Sequence, residues 1–417
     1  MVWTLIHIAD WTLWLTIGAS VVYVVFFAFA SLSPNPSPKG EGSRKGERAQ
    51  SRFVVIFPAY HEDKVIRTSI EAFLRQDYPS DLFKLVVVSD HMQPETNEWL
   101  AAQPLLLLQP TFEKSSKAKA LQFAIGQLES LSPNPSPARP LDACYHRDAR
   151  KGEERLQNRY MVILDADNVV GTDFLSRLDL VCQQGYQAIQ CHRTAKNADN
   201  DVSALDGLSE EINNTLFRRA HNNIGMSSAL IGSGMCFDYK WFCEHVNRLQ
   251  SAVEDRELEA LLMKEGIFIK YEEDIHVYDE KVNNQDNFQR QRLRWMTGQV
   301  QALLQMTPYL PTALRKGNIN YIDKTIQQAL IPRSILLVAV PFMALLITLL
   351  SPLWSIKWWV LLLCLCIALL IAVPARLRTT ALFGKLFALP HLVWRLLKNI
   401  VRIDHKNTDF IHTTHDK

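Results

Sequence analysis

The chain has 417 residues, room for one large or two ordinary domains, which excludes a peptide or a disulfide-stapled miniprotein. Its 45 Lys and Arg nearly balance 43 Asp and Glu, a formal net charge of +2, and this argues against a nucleic-acid binder built on overall basicity. The seven cysteines show neither CxxC nor Cys/His ligand spacing, so they suit reduced thiols in the cytosol rather than a disulfide framework or a zinc site.

From Trp11 to Leu32 the sequence runs WTLWLTIGASVVYVVFFAFASL without a charge, long enough as a helix to cross a hydrocarbon core. No basic stretch precedes it and it is long for the apolar part of a signal peptide, so an uncleaved anchor is expected. The octapeptide SLSPNPSP then occurs at Ser31 to Pro38 and again at Ser130 to Pro137, each copy followed downstream by Arg-Lys-Gly-Glu. Two Pro- and Ser-rich copies with no periodic apolar face cannot form a packed repeat and read as inserted, disordered sequence. The first falls in a basic linker over 33–52 and the second in a surface loop over 130–158.

FVVIFPAY (Phe53 to Tyr60), LFKLVVVSD (Leu82 to Asp90), LLLL (Leu105 to Leu108) and YMVILDAD (Tyr160 to Asp167) read as buried strands. Helical patterns at 66–76 and 118–128 alternate with them, and this rhythm predicts an α/β fold with a mostly parallel sheet covered by helices on both faces. Ligands of such a sheet sit beyond the carboxyl ends of its strands, where His61, Glu62, Asp63, Ser89, Asp90, Asp165 and Asp167 fall. No GxGxxG or GxxxxGK[ST] follows a strand, which argues against a dinucleotide oxidoreductase and a P-loop nucleotidase.

Asp165-Ala166-Asp167 offers two carboxylates that can share a hard divalent cation such as Mg2+ or Mn2+, although a strand-end Asp is also a common turn residue. Glu254-Asp255 opens the helical stretch EDRELEALLMKEG, where acids also complement a helix dipole. Further on, Gln291, Arg294 and Trp295 occupy i, i+3 and i+4 and share one helix face, presenting an amide, a guanidinium suited to phosphate and a flat indole.

Residues 311–334 read as an interfacial helix region. Ile335 to Leu353 and Ile356 to Ala375 are two apolar stretches separated by a turn with Pro352 and Ser355, a membrane hairpin. Lys39, Arg44, Lys45, Arg48 and Arg52 follow the first span, and Arg376, Arg378 and Lys385 the last, which places the middle region and the 376–417 tail in the cytosol. Within that tail, Leu382 to Ile400 mixes apolar and basic residues and is expected to lie along the interface.

Taken in order, these motifs resemble those of the membrane-bound, inverting family 2 glycosyltransferases, similar to the synthases of cellulose, hyaluronan and poly-N-acetylglucosamine and to ceramide glucosyltransferase. The resemblance runs from Phe53 to Leu304 and includes Pro58-Ala59-Tyr60-His61-Glu62 and Ser116 to Gln122 beside the DxD, ED and QxxRW motifs. It implies a GT-A-like domain over 53–310 that binds a nucleotide-sugar donor, a UDP-sugar foremost, with Mg2+ or Mn2+. By the same resemblance Pro58, Tyr60, Glu62, Asp90, Lys117, Asp165, Gln291, Arg292 and Arg294 bind the donor, and Asp165 and Asp167 hold the metal. Asp255 is the catalytic base, while Gly232, Ser233, Gly234, Glu254 and Trp295 lie on the acceptor side. His61 and Gln122 replace the usual Asn, Ser116 the usual Gly and Ser89 a frequent second Asp, which leaves room for altered contacts to the donor base. The tail segment Phe410 to His415 looks like C-terminal segments that fold back over the active site in some members.

Three functions are in view. The first is transfer onto a growing polysaccharide at the inner face of the cytoplasmic membrane, and the second is a single addition to a glycolipid or polyprenyl-linked acceptor. The third is an inactive scaffold in a polysaccharide assembly complex. Three spans are few for a self-contained export channel, which points to a lipid acceptor, a homo-oligomer or an export partner.

Overall fold

The computed structural model describes residues 2–34, 50–130, 158–197, 201–251, 253–281 and 285–378. Half of the first SLSPNPSP copy and most of the second, Lys39, Arg44, Lys45, Arg48 and Lys385, and the tail from 379 to 417 lie outside the described residues.

Eight strands form one sheet: β1 (Arg52–Tyr60), β2 (Phe83–Asp90), β3 (Leu106–Leu108), β4 (Arg159–Ile163), β5 (Val169–Val170), β6 (Ala188–Ala195), β7 (Met235–Asp238) and β8 (Ile269–Asp279). The four runs expected as strands are β1 to β4, in agreement to within a few residues at their ends. Their order across the sheet is β3-β2-β1-β4-β7-β6-β8-β5. Val55, Ile56 and Phe57 of β1 are fully buried because both faces of the sheet are covered, which is why these runs are apolar without alternation.

Four of the seven strand pairings among the described residues are parallel. β7 runs antiparallel between β4 and β6, and β5 antiparallel beside β8. Two successive reversals at β7 restore the direction of β6 and β8, so the carboxyl end of β8 opens on the same edge of the sheet as those of β1, β2 and β4. This places Asp279, the last residue of β8, beside the DxD that follows β4.

The helices are α1 (Val2–Ala30), α2 (Ile66–Phe73), α3 (Pro94–Ala101), α4 (Lys117–Ser130), α5 (Phe174–Cys182), α6 (Asp201–Asn213), α7 (Ala220–Asn223), α8 (Tyr239–Val246), α9 (Glu254–Glu265), α10 (Gln285–Met306), α11 (Leu310–Lys316), α12 (Ile319–Ala329), α13 (Arg333–Leu350) and α14 (Pro352–Ala372). A π-helical stretch, Asn214–Arg219, joins α6 to α7. Two apolar clusters cover the two faces of the sheet, one packing α4, α8 and α9 against it and the other α2 and α5.

α1, α13 and α14 are long and apolar enough to cross a membrane. α1 begins well before Trp11, where the charge-free run starts, because Asp10 does not interrupt it. The Asp10 carboxylate is buried against α14, paired with Lys357 Nζ and accepting from Trp358 Nε1 at 2.8 Å, so its charge is met inside the helix bundle. Pro352 starts α14 instead of lying in the turn, the first helical position being one that tolerates its missing N–H. A third apolar cluster, separate from the two on the sheet, packs these helices against α6 and the π-helical stretch through Leu205, Leu208, Ile212 and Leu216. The 311–334 region contains α11 and α12, and α12 packs onto α9 and α10 with Tyr321 and Lys324 fully buried.

Candidate active site

The carboxyl ends of β1, β2, β4 and β8 and the helices α4, α6, α9 and α10 enclose a cleft of ≈ 320 Å³. Its walls include Pro58, Tyr60, Glu62, Asp90, Lys117, Asp165, Asp167, Gly232, Glu254, Asp255, Gln291, Arg292, Arg294 and Trp295. Stretches scattered from Pro58 to Trp295 are thus brought to one place. Ser233 and Gly234 do not line it. Ser233 is fully buried with its hydroxyl on Asn168 Oδ1, and Gly234 packs under Val277 and Cys191 in the sheet core.

The site's floor is carboxylate. One oxygen each from Asp165, Asp167 and Asp279 lie within 4.8 Å of one another. Asn168 ties the three together, donating its amide to Asp167 Oδ1 at 3.1 Å and Asp279 Oδ1 at 3.2 Å while its oxygen accepts from the Asp165 N–H at 2.9 Å. Burial, with Asp279, Asp165 and Glu62 close by, pushes the Asp167 carboxyl well above the usual range. Three hard carboxylate oxygens this close together repel one another and fit a divalent cation of the Mg2+ or Mn2+ type, which would relieve the repulsion. Asp279 is also held by Lys281 Nζ at 2.7 Å, within a buried network in which Glu210 Oε1 accepts from Arg193 Nε at 2.6 Å.

Lys117, at the first turn of α4, bonds both the Asp165 carboxylate and the Gly232 carbonyl and lies 3.4 Å from Glu254 Oε1. Burial alone would lower its pKa, but Asp165 and Glu254 outweigh burial and raise it. Gly232 has φ +83°, and a β-carbon there would sit 3.7 Å from Asp255 Oδ2 and 3.9 Å from Lys117 Nζ, so this turn brings bare backbone against the charged groups. α10 approaches closely because Gly298 faces Val253, the residue before Glu254-Asp255, and a β-carbon at 298 would collide with that valine.

Glu254 is buried, and burial, with Asp255 and Asp165 adding to it against the pull of Lys117, raises its pKa from 4.5 to about 7. A carboxyl raised on folding contributes stability that is fully present below pH 4.5 and is lost as pH rises through about 7. Glu254→Gln removes this titration. With chelator present, the variant should gain on the order of 3 kcal/mol relative to wild type between pH 5 and pH 8. Thermal unfolding at the two pH values reads this, and a Tm difference that does not change with pH would contradict it.

At the other end of the cleft, His61 (φ +54°) and His91 (φ +55°) follow β1 and β2 in the left-handed region that non-glycine residues seldom adopt. His91 Nδ1 is 2.6 Å from Asp90 Oδ1, and the Tyr60 ring lies 4.5 Å from His61 and 5.7 Å from His91. The strained backbone gathers three rings around Asp90, a surface suited to a planar base. On α10, Arg292 pairs with Asp206 and lies 4.7 Å above the Trp295 ring. Burial lowers the pKa of Arg294, with Glu254, Asp165 and Asp255 opposing.

Sequence reading did not single out Asp279, Asn168, Arg193, Glu210, Lys281 or His91. Asp279 carried little signal, because the stretch it ends, IKYEEDIHVYD, is interrupted by charged residues, unlike the apolar runs before Asp90 and Asp165.

The sequence model described as glycosyl transferase family group 2 matches residues 160–373, just over half of the chain. Among solved structures, the mannosyltransferase PcManGT from Pyrobaculum calidifontis, in complex with GDP-Man and Mn2+, is similar at 18% identity and a TM-score of 0.48, over 87% of this chain and 97% of that one. TarS 1-349 from S. aureus is similar at 14% identity and a TM-score of 0.40, over 84% of this chain and 88% of that one. A search of curated proteins finds no match.

Proposed function

The chain belongs to glycosyl transferase family group 2, with the GT-A fold of a nucleotide-sugar glycosyltransferase, and from that premise we propose that it moves a sugar from its donor to an acceptor hydroxyl in one inverting displacement. The observation that carries this reading is the convergence of a carboxylate triad, Lys117, Arg294 and Asp255 in a single cleft.

In this reading the donor base lies over Tyr60 and Asp90, and the diphosphate points toward Lys117, Arg294 and the triad. Asp165, Asp167 and Asp279 would hold Mg2+ or Mn2+, which supplies charge neutralisation to the diphosphate. Asp255 takes the proton of the acceptor hydroxyl while the acceptor oxygen bonds to the anomeric carbon. The bond from that carbon to the diphosphate oxygen breaks, and the two cationic side chains stabilise the charge left on the nucleoside diphosphate.

The acceptor side favours a lipid. A second cavity adjoins the cleft at Trp295, and its exposed surface is mostly apolar although Arg and Gln alternate with Leu, Ile, Val and Phe in its walls, whereas a polysaccharide needs a polar path throughout. The domain then lies on the cytosolic face of the cytoplasmic membrane, where Arg52, Arg376 and Arg378 follow their spans. A screen of UDP- and GDP-sugars on membranes containing the protein, with Mn2+ or Mg2+, should release nucleoside diphosphate and yield one labelled lipid. A high-mass labelled polymer would overturn the single-addition reading, and no turnover of any donor would overturn the transferase reading.

A further inference from the structure

The second cavity has a volume of ≈ 600 Å³, larger than the cleft, and lies between the membrane helices and the sheet domain. Its apolar wall comes from Val24 of α1, Leu208 and Ile212 of α6, Leu337 of α13 and Leu370 of α14. Leu370 and Cys366, which also lines it, are exposed on the helix surface, so the cavity reaches the side that faces lipid. At its other end it meets the cleft, the two sharing Ser209, Asn213, Arg218, Leu230, Arg256, Arg292 and Trp295.

Among the described residues, two arginines beside this junction lack the carboxylate partner that several basic groups of the cleft have, as does Arg256, which bonds Gln328 Oε1. Lys117, Arg193, Lys281 and Arg292 each have a carboxylate partner. Arg218 and Arg333 have none among the described residues. Arg218 is 4% exposed, bonds Asn214 Oδ1 at 2.9 Å and leaves its buried Nε without a hydrogen-bond partner. Arg333, the partly buried first residue of α13, bonds Asn213 Oδ1 at 2.7 Å and the Ser209 carbonyl at 3.0 Å. Glu259, the carboxylate in the cavity wall, is engaged by the Leu230 N–H at 2.8 Å, and burial raises its pKa. A buried guanidinium with only neutral partners is costly, and an anion presented by a ligand would offset that cost.

We propose that the acceptor is an anionic amphiphile whose hydrocarbon chain occupies this cavity and whose phosphate, linking the chain to the hydroxyl-bearing head group, rests on Arg218 and Arg333. This deepens the lipid-acceptor reading and rests on it. Guanidinium forks match phosphate oxygens bidentately, and a phosphate held there places the rest of the head group at Trp295, on the way to Asp255. A neutral lipid would fill the apolar wall but leave both arginines without a counterion.

Cys366 reports occupancy directly. The full chain in phosphatidylcholine nanodiscs is treated with N-ethylmaleimide in the presence of dodecyl phosphate, dodecanol or inorganic phosphate, and modification of the Cys366 peptide is followed by mass spectrometry. Dodecyl phosphate should slow labelling about tenfold more than dodecanol, the worth of one charge-assisted hydrogen bond, and inorganic phosphate should not slow it. Arg333→Gln should remove the advantage of dodecyl phosphate and leave the dodecanol result unchanged. Ile212→Trp, which adds bulk to the apolar wall of the cavity, should remove protection by both amphiphiles. Equal protection by the two amphiphiles, protection by inorganic phosphate alone, or undiminished protection in Arg333→Gln would overturn the proposal. Donor turnover is read separately: its absence with protection intact would remove the transferase reading and leave the anionic-lipid site, and the converse would remove this proposal alone.

Discussion

Asp255→Asn is expected to lower kcat by about 10²- to 10⁴-fold while leaving the affinity for a nucleoside diphosphate with Mn2+ within about twofold. The two neighbouring acids of α9 are in different circumstances. Glu254 is buried, lies beside Lys117 and is raised toward neutrality, so it is occupied within the protein. Asp255 is partly exposed at the second position of the helix, where the positive end of the dipole favours a carboxylate, and its Oδ1 accepts the Arg256 N–H at 2.9 Å. Its other oxygen faces the turn at Gly232, where the absent side chain leaves space for a reacting hydroxyl. Asn keeps the size and the helix contact but cannot accept the proton. Steady-state kinetics with a labelled donor, together with calorimetric titration of the nucleoside diphosphate, check both halves, and an unchanged kcat would assign the base elsewhere.

How much of this site could be read beforehand depended on the strand each residue sits on. β1, β2 and β4 are buried on both faces, so they appear as unbroken apolar runs, and the polar residues ending them were visible as cleft residues. β6 and β8 are different. β6 carries Gln190, His192 and Arg193 as buried polar groups, each satisfied by bonds to distant segments, and β8 alternates and changes register against β6 after Cys191. Neither looks like a core strand in sequence, so Asp279 at the end of β8 was not seen as a neighbour of the DxD. The extent of α1 was obscured in the same way, since Asp10 looks like a boundary until Lys357 and Trp358, some 350 residues on, are beside it. The Gly232-Ser233-Gly234 turn shows the reverse case, in which three adjacent residues shared one expected role but only the first faces the cleft.

Asp279 therefore separates a two-carboxylate cation site from a three-carboxylate one. If the DxD alone held the cation, Asp279→Asn would leave binding nearly unchanged. The geometry argues otherwise, because Asn168 donates to Asp167 and Asp279 at nearly equal distances and so fixes the two carboxylates against each other. Asp279→Asn should weaken Mn2+ binding at least ~10-fold, read by electron paramagnetic resonance of free Mn2+ with no donor present, so that the result does not depend on turnover. Loss of the fold is not the expected cause, since Lys281 and Arg193 both retain Glu210 as a partner. Asn168→Leu, which leaves all three carboxylates in place and removes the amide that links Asp167 to Asp279, along with the acceptor of the Asp165 N–H and the Ser233 hydroxyl, should weaken Mn2+ binding in the same direction. If Asp279→Asn bound Mn2+ as tightly as wild type, the third carboxylate would belong to the Arg193, Glu210 and Lys281 network alone, and the cation would be held by Asp165 and Asp167 with the diphosphate.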